Sequence, residues 1–287
     1  MLALLPWFDA NARDLPWRRP QTTPWGVLVS EFMLQQTPVA RVEPVWDDWL
    51  ARWPVPSALA AASRADVLRA WGKLGYPRRA LRLHAAAVVI ASEHDDVVPA
   101  ELKVLEALPG VGSYTARAVA AFGYGLRCPV VDTNVRRVVA RAVHGAAEPG
   151  LARTAADQAD VEALLPASDA AAARFSAALM ELGAVVCAAR APRCGLCPLR
   201  ADCAWQLAGR PAYTGTVRQP QAFAGTDRQV RGRLLDVLRG SPGPVPRAAL
   251  ETAWADDAQR ERCLASLLAD GLVAAVGADR FGLPDEG

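Results

Sequence analysis

Apolar side chains recur at helical spacing through most of residues 27–207, and strictly alternating runs are almost absent. The set Val39, Val42, Val45, Trp46, Trp49 and Leu50 forms one helical stripe, with Thr37 expected as N-cap and Pro38 at the first helical position. Ser63-x-x-Asp66 has the form of a capping box; Val67, Leu68, Trp71 and Leu74 follow it, and Gly75 is placed to stop that helix. A further helix is predicted from Arg78 to His94. The main body is therefore expected to be all-α. Residues 209–225, GRPAYTGTVRQPQAFAG, lose the periodicity and predict a linker. Beyond it, residues 226–287 carry three helical stretches and then GLVAAVGADRFGLP, which reads as two short strands around a turn. That order outlines a small winged-helix-like α+β module.

The chain has 287 residues, 52% of them hydrophobic and 22% charged, a globular composition with enough length for a sizeable core. No apolar run is long enough to span a bilayer, and MLALLPWFDA lacks a basic leader, so a cytoplasmic protein with no membrane partner is expected. A net charge of +2 neither requires nor excludes nucleic acid. Residues 226–287 hold eight Lys+Arg against ten Asp+Glu, a net of −2, which suits a packing or partner-docking module as well as a DNA grip.

Four of the six cysteines cluster as Cys187-x6-Cys194-x2-Cys197-x5-Cys203. Clustered thiols in a reducing compartment point to a metal centre rather than disulfides. Structural zinc sites usually pair two C-x2-C knuckles and only one is present, whereas iron–sulfur clusters accept uneven spacing; the pattern favours a cluster over zinc. Cys128 and Cys263 stand apart and are expected to be small buried apolar residues. LPGVG, residues 108–112, lies between two helical stretches and predicts a tight helix-hairpin-helix turn; amide N–H groups left open at the second helix's start suit a phosphate oxygen. In PVVDTNVRRVVARAVHG, residues 129–145, Asp132 or Asn134 is placed to cap a helix, and a carboxylate there is favoured as the anion. Glu31, inside VLVSEFML, is a carboxylate in an apolar helical run: either a buried acid paired with an arginine, or an acid whose raised pKa makes it a proton donor near neutral pH.

SEFMLQQT, GKLGYPRRALRLH, LPGVGSYTARAVA, VVDTNVRRV and the four-cysteine loop, in this order, resemble the helix-hairpin-helix DNA glycosylases, and among them the adenine-DNA glycosylases of the MutY type in their shorter actinobacterial form. The resemblance covers about residues 7–207 and extends to the C-terminus in the short members. It implies a six-helix domain (21–129) with the hairpin, a [4Fe–4S] domain (1–20 and 130–208) ligated by Cys187, Cys194, Cys197 and Cys203, the linker, and the winged-helix-like module. The implied partner is double-stranded DNA with an A:8-oxoguanine or A:G mispair, bound by a monomer, with the target nucleotide extruded from the duplex. Glu31 matches the family's acid that protonates adenine, and Asp132 the carboxylate facing the sugar cation. Tyr114 matches an assisting tyrosine, and Asn134 a support of the sugar site. Related endonuclease III enzymes carry a lysine nucleophile where Tyr114 stands; a tyrosine implies a monofunctional glycosylase.

Gln36, Thr37, Leu74 and Tyr76 align with residues that probe the opposite base and wedge into the stack, Gly110, Val111 and Gly112 with the phosphate-binding hairpin, and Arg13 and Trp17 with the adenine pocket. Trp17 also suits plain core packing. Two positions depart from the family pattern. Ala177 stands where many members have a polar pocket residue, with Ser176 beside it, and residues 226–287 are too short and too helical for the Nudix-like domain of longer members. Rival readings are a thymine or uracil mismatch glycosylase of the same superfamily and a non-enzymatic iron–sulfur DNA-binding regulator.

Overall fold

The computed structural model describes residues 3–215 and 223–286; by packing, the chain divides into two units. The first comprises Met1–Glu31, Pro99–Ala107 and Val111–Val217, the second Phe32–Val98, Leu108–Gly110 and Arg218–Gly287. The described main body is helical, as the periodicity predicts; the described parts of the expected linker, residues 209–215 and 223–225, form neither helix nor strand, and 216–222 lie outside the described residues.

In the first unit, the helices Thr133–Ala142 and Asp169–Val185 pack against each other and against the N-terminal helix Leu4–Asn11. Val135, Val138 and Val139 from one, Phe175, Leu179 and Leu182 from the next, and Leu4 from the third bury their side chains in one cluster, the i, i+3, i+4 faces the sequence displays. Gly183 permits the closest approach. A Cβ there would lie 2.7 Å from the Asn134 Cβ and 2.9 Å from the Asn134 carbonyl oxygen.

In the second unit the helix Val39–Arg52 buries Val42, Trp46 and Trp49, and Trp49 meets Trp53 and Trp71 edge-on at 4.6 and 5.7 Å. Two local expectations change. Thr37 does not cap this helix: Pro38 is the N-cap, and the Thr37 hydroxyl instead donates to the Leu74 carbonyl at 2.9 Å. The capped helix Arg64–Trp71 does begin at Ser63, which accepts from the Asp66 N–H, but it stops at Gly72 (φ +51), three residues before Gly75, which leaves Leu74 in the turn. The C-terminal module has three helices, Asp227–Arg239, Arg247–Glu251 and Asp257–Ala269, and the two expected strands, Ala274–Val276 and Arg280–Gly282. A third strand, Val245–Pro246, pairs antiparallel with Arg280–Gly282; at two residues it is too short to show alternation. The module is held to the remainder of its unit by Arg64–Asp285, Arg69–Glu286 and Arg78–Asp270 ion pairs. Among the described residues no helix is long and apolar enough to cross a membrane.

Because the Asn134 Cβ and backbone, rather than the far end of a flexible side chain, face Gly183, Gly183→Ala is expected to cost about 1–3 kcal/mol and lower the melting temperature by about 3–10 °C. Thermal denaturation checks this; an unchanged midpoint would mean that the two helices separate without cost.

Candidate active site

Glu31 lies on the helix Pro24–Leu34, whose neighbours Leu28, Phe32 and Met33 are fully or nearly fully buried. Its residue is 5% exposed, and burial pushes the carboxyl up to about 7. A hydrogen bond from the Tyr114 phenol and the charge of Arg18 oppose the rise, while the nearby Asp132 carboxylate adds to it. Glu31, Tyr114 and Asp132 are thus brought within mutual electrostatic reach inside the first unit. Tyr114 stands in the first turn of the helix Ser113–Tyr124, and desolvation with two neighbouring carboxylates holds its phenol well above its ordinary value, as the neutral donor.

Asp132 caps the helix Thr133–Ala142: one carboxylate oxygen accepts the Val135 N–H at 2.7 Å, the other accepts from Asn134 Nδ2 at 2.9 Å. Burial raises its pKa, and these bonds hold the rise back. The lowering expected at a helix start is present and is outweighed by desolvation. Asn134 in turn accepts from Arg137 at 2.7 Å, and Arg137 donates to the carbonyls of Gly183 and Cys187 at 2.8 and 2.7 Å. A chain of hydrogen bonds therefore runs from Asp132 to the first of the clustered cysteines.

Arg13 does not stand open in a pocket. Its guanidinium grips Glu181 through two bonds, 2.6 and 2.9 Å, and Arg18 donates to the same carboxylate at 2.8 Å. Glu181 is fully buried, and although burial pushes its carboxyl up, the two arginines together hold it below the usual value. Sequence reasoning missed Glu181, yet the signal resembles that of Glu31: a lone carboxylate in the apolar run SAALMELGAV. Trp17 is 8% exposed. Ser176, beside Ala177, is fully buried, and its hydroxyl has no hydrogen-bond partner among the described residues.

Cys187, Cys194, Cys197 and Cys203 line one small cavity with Arg141, Arg200 and Trp205. The Arg141 guanidinium lies 3.5 Å from the Cys187 sulfur and over the Trp205 ring at 5.0 Å. Soft donors beside fixed cations suit a group whose thiolate-bound form is anionic. Among the described residues no three His, Cys, Asp or Glu side chains are disposed to hold one metal ion. Cys128 and Cys263 are buried and free, as expected.

In the second unit the expected wedge residues gather around Arg79, which sequence reasoning also missed. This buried guanidinium donates to the carbonyls of Phe32, Met33, Gln35 and Gly75 and to the Thr37 hydroxyl, at 2.5–3.0 Å. It fixes two left-handed residues, Gln36 (φ +58) and Tyr76 (φ +45), by tying down their neighbours. Leu74 is buried, while Gln36 and Tyr76 are exposed. Of the hairpin glycines only Gly110 requires its identity: φ is +80, and a Cβ would meet Arg82 Cβ at 2.8 Å. Gly112 has φ −99 and open space around it, at the N-terminus of the helix Ser113–Tyr124; Val111 between them is buried.

A family model described as HhH-GPD superfamily base excision DNA repair protein matches residues 29–157. The adenine DNA glycosylase of Mycobacterium tuberculosis (strain H37Rv) is 64% identical over 285 residues, 99% of this chain and 93% of that protein. That of Mycolicibacterium smegmatis is 63% identical over 99% of this chain and 96% of its own length. The chain belongs to the adenine DNA glycosylases of the HhH-GPD superfamily. These enzymes hydrolyse N-glycosyl bonds. Among solved structures, a thermostable thymine-DNA glycosylase has a TM-score of 0.65 at 26% identity, covering 72% of this chain and 94% of that one. A non-covalent endonuclease III–DNA complex has 0.61 at 19%, covering 73% and 96%, a likeness of fold.

The raised pKa of Glu31 couples this glycosylase's stability to pH. From about pH 4.5, the ordinary value, to about 7, the folded chain keeps a proton that the unfolded chain releases, so stability falls as pH rises, by about 3 kcal/mol in all. Glu31→Gln removes that dependence. Its melting temperature is expected to gain on the wild type progressively from pH 4.5 to 7 and to keep a constant lead above pH 8. A difference independent of pH would overturn the assignment.

Proposed function

We propose that this chain excises adenine mispaired with 8-oxoguanine or guanine in duplex DNA, acting as a monomer in the cytoplasm at the first step of base excision repair. The observation that carries the reading is Glu31 with its proton held to about pH 7, in reach of Tyr114 and Asp132. Leaving adenine must accept a proton on a ring nitrogen while positive charge develops on deoxyribose. Glu31 supplies the proton. Asp132, whose rise is held back by its bonds to the Val135 N–H and to Asn134, supplies the facing anion; an acid and an anion divide these roles as in glycoside hydrolysis. Tyr114 orients Glu31 through its hydrogen bond and cannot form a Schiff base, which supports a glycosylase without strand cleavage. Asn134 keeps Asp132 aimed at the sugar.

The reading keeps residues 1–20 and 130–208 as the cluster-holding domain, 21–129 as the six-helix domain with the hairpin, and 209–225 as the linker to 226–287. A [4Fe–4S] group held by Cys187, Cys194, Cys197 and Cys203 is supported by their shared cavity beside Arg141 and Arg200. A zinc ion, at about 2.3 Å from each sulfur, needs its ligands crowded together, whereas a cubane spreads them over four irons. The cluster when bound supplies a rigid, positively flanked loop. Gln36, Thr37, Leu74 and Tyr76 are assigned to the base opposite the adenine, Arg13 and Trp17 to the adenine pocket, Arg13 through its grip on Glu181, and the Gly110-Val111-Gly112 turn to a phosphate.

Incubation with A:8-oxoguanine, A:G and T:G duplexes followed by alkali should release product from the first two only. Release from T:G alone would favour a mismatch glycosylase, and no release at all would favour a regulator. Glu31→Gln should lower single-turnover excision by at least about a hundredfold with duplex affinity within about twofold, and the wild-type rate should fall above about pH 7. Protein purified anaerobically should be brown and carry about four iron atoms per chain. Cys197→Ser should lose that colour and iron; unchanged iron content would remove Cys197 from the ligand set.

A further inference from the structure

The second unit contains a groove of about 1050 Å³. One wall is the turn that carries Leu74 and Tyr76 and leads into Arg78, Arg79 and Arg82; the other is the module's helix Asp227–Arg239, which presents Arg228, Arg231, Arg233 and Arg239. Five lining cations, Arg41, Lys73, Arg82, Arg228 and Arg233, are exposed and pair with no carboxylate among the described residues. The single lining carboxylate, Asp236, already faces Arg239 at 3.6 Å. The walls also offer amides, Gln35, Gln36 and Gln229, and two exposed rings, Tyr76 and Phe223. Arg228 joins these rings: it donates to the Tyr76 phenol oxygen at 3.3 Å and lies over Phe223 at 5.1 Å.

Like charges on both walls repel unless a polyanion lies between them. Cations with interleaved aromatic and amide groups match a nucleic acid strand, whose phosphates take the charge and whose sugars and bases take the rings and amides. An acidic peptide would use the charge and leave the rings unused. Gln36, Leu74 and Tyr76, assigned above to the base opposite the adenine, line this same groove. We propose that the groove holds the backbone of the DNA strand opposite the excised adenine, with Lys73, Arg82, Arg228 and Arg233 as phosphate contacts, so that the C-terminal module forms part of the DNA interface. The choice of strand rests on the reading in the preceding section; the binding of duplex DNA by these cations does not.

The test is fluorescence anisotropy of full-length protein on a labelled A:8-oxoguanine duplex and on an undamaged duplex, over a range of salt. In the double variant Arg228→Gln/Arg233→Gln, Kd should rise about tenfold on both duplexes, and the slope of log affinity against log salt should become shallower by about 2. Arg280→Gln removes an exposed cation of the same module that does not line the groove and pairs with no carboxylate among the described residues, and should leave both quantities unchanged. Wild-type affinity and slope in the double variant, or an equal loss in Arg280→Gln, would overturn the proposal and leave the groove to another anion, an acidic peptide among them. A second measurement needs no variant: 5-iodouracil beside the 8-oxoguanine should photo-crosslink to a peptide containing Tyr76 or Phe223. Cross-links to that peptide only from the adenine-bearing strand, or none, would overturn the strand assignment. Anisotropy reads binding without excision, so failure of the glycosylase reading shows separately, as absent product from the wild type.

Discussion

Withdrawal of the Glu31 carboxyl from water destabilises the fold by about 3 kcal/mol once the pH passes 7, and the surrounding elements leave that cost in place. An arginine paired with Glu31 would have removed it and, with it, the retained proton. Arg18 is near enough to lower the Glu31 pKa, yet its guanidinium is bonded to Glu181, which holds Arg13 as well. Glu181 therefore does two things with one carboxylate. It fixes both arginines at the start of the chain, and it takes the hydrogen bond of Arg18, which Glu31 would otherwise have as a partner. The remaining partners of Glu31 are a neutral phenol and a second carboxylate, a set that orients the group without ionising it.

Arg79 has a comparable place in the second unit. Carbonyls at the end of a helix have no partner within that helix. Here those of Phe32, Met33 and Gln35 converge on one guanidinium, which also reaches Gly75 from the neighbouring turn. Burial among carbonyls lowers its pKa to about 10, still far above neutrality, so the clamp stays charged. Two exposed residues in left-handed conformations, Gln36 and Tyr76, flank the clamp. Holding such conformations costs of order 1–3 kcal/mol each, and the bonds of one buried arginine offset that cost.

What the sequence exposed and what it hid follow from range. Periodicity gave the helical body, because a helix face is decided by residues three and four apart; the Ser63 cap was legible for the same reason. Glu31 stood out because an acid in an apolar run has few structural explanations, and the motif resemblance assigned it a role. Glu181 carries a similar local signal, but its meaning depends on two arginines more than 160 positions away, which no window contains. Thr37 looked like a cap because Pro38 follows; its hydroxyl was claimed instead by Leu74, 37 residues on. The two hairpin glycines looked equivalent, and only the structure separates Gly110, fixed by φ and by Arg82, from Gly112, which any residue's backbone could match.

The C-terminal module shows how an average can conceal a surface. Its net charge of −2 counts acids and bases without regard to direction. On the helix Asp227–Arg239, Val230, Leu234, Leu235 and Leu238 are buried, and their spacing leaves Arg228, Gly232 and Arg239 along another face, with Arg231 and Arg233 beside them. Half of the module's ten carboxylates are engaged elsewhere: Asp227 with Arg262, Glu261 and Asp279 with Arg247, Asp285 and Glu286 with Arg64 and Arg69. Those pairs hold the module together and hold it in place; in the groove Asp270 answers Arg78 and Arg231 and Asp236 answers Arg239, which leaves Arg228 and Arg233 on the module's wall without a carboxylate partner among the described residues. Electrostatic potential follows the geometry of charges rather than their sum. A module that is acidic in total can in this way present a cationic wall.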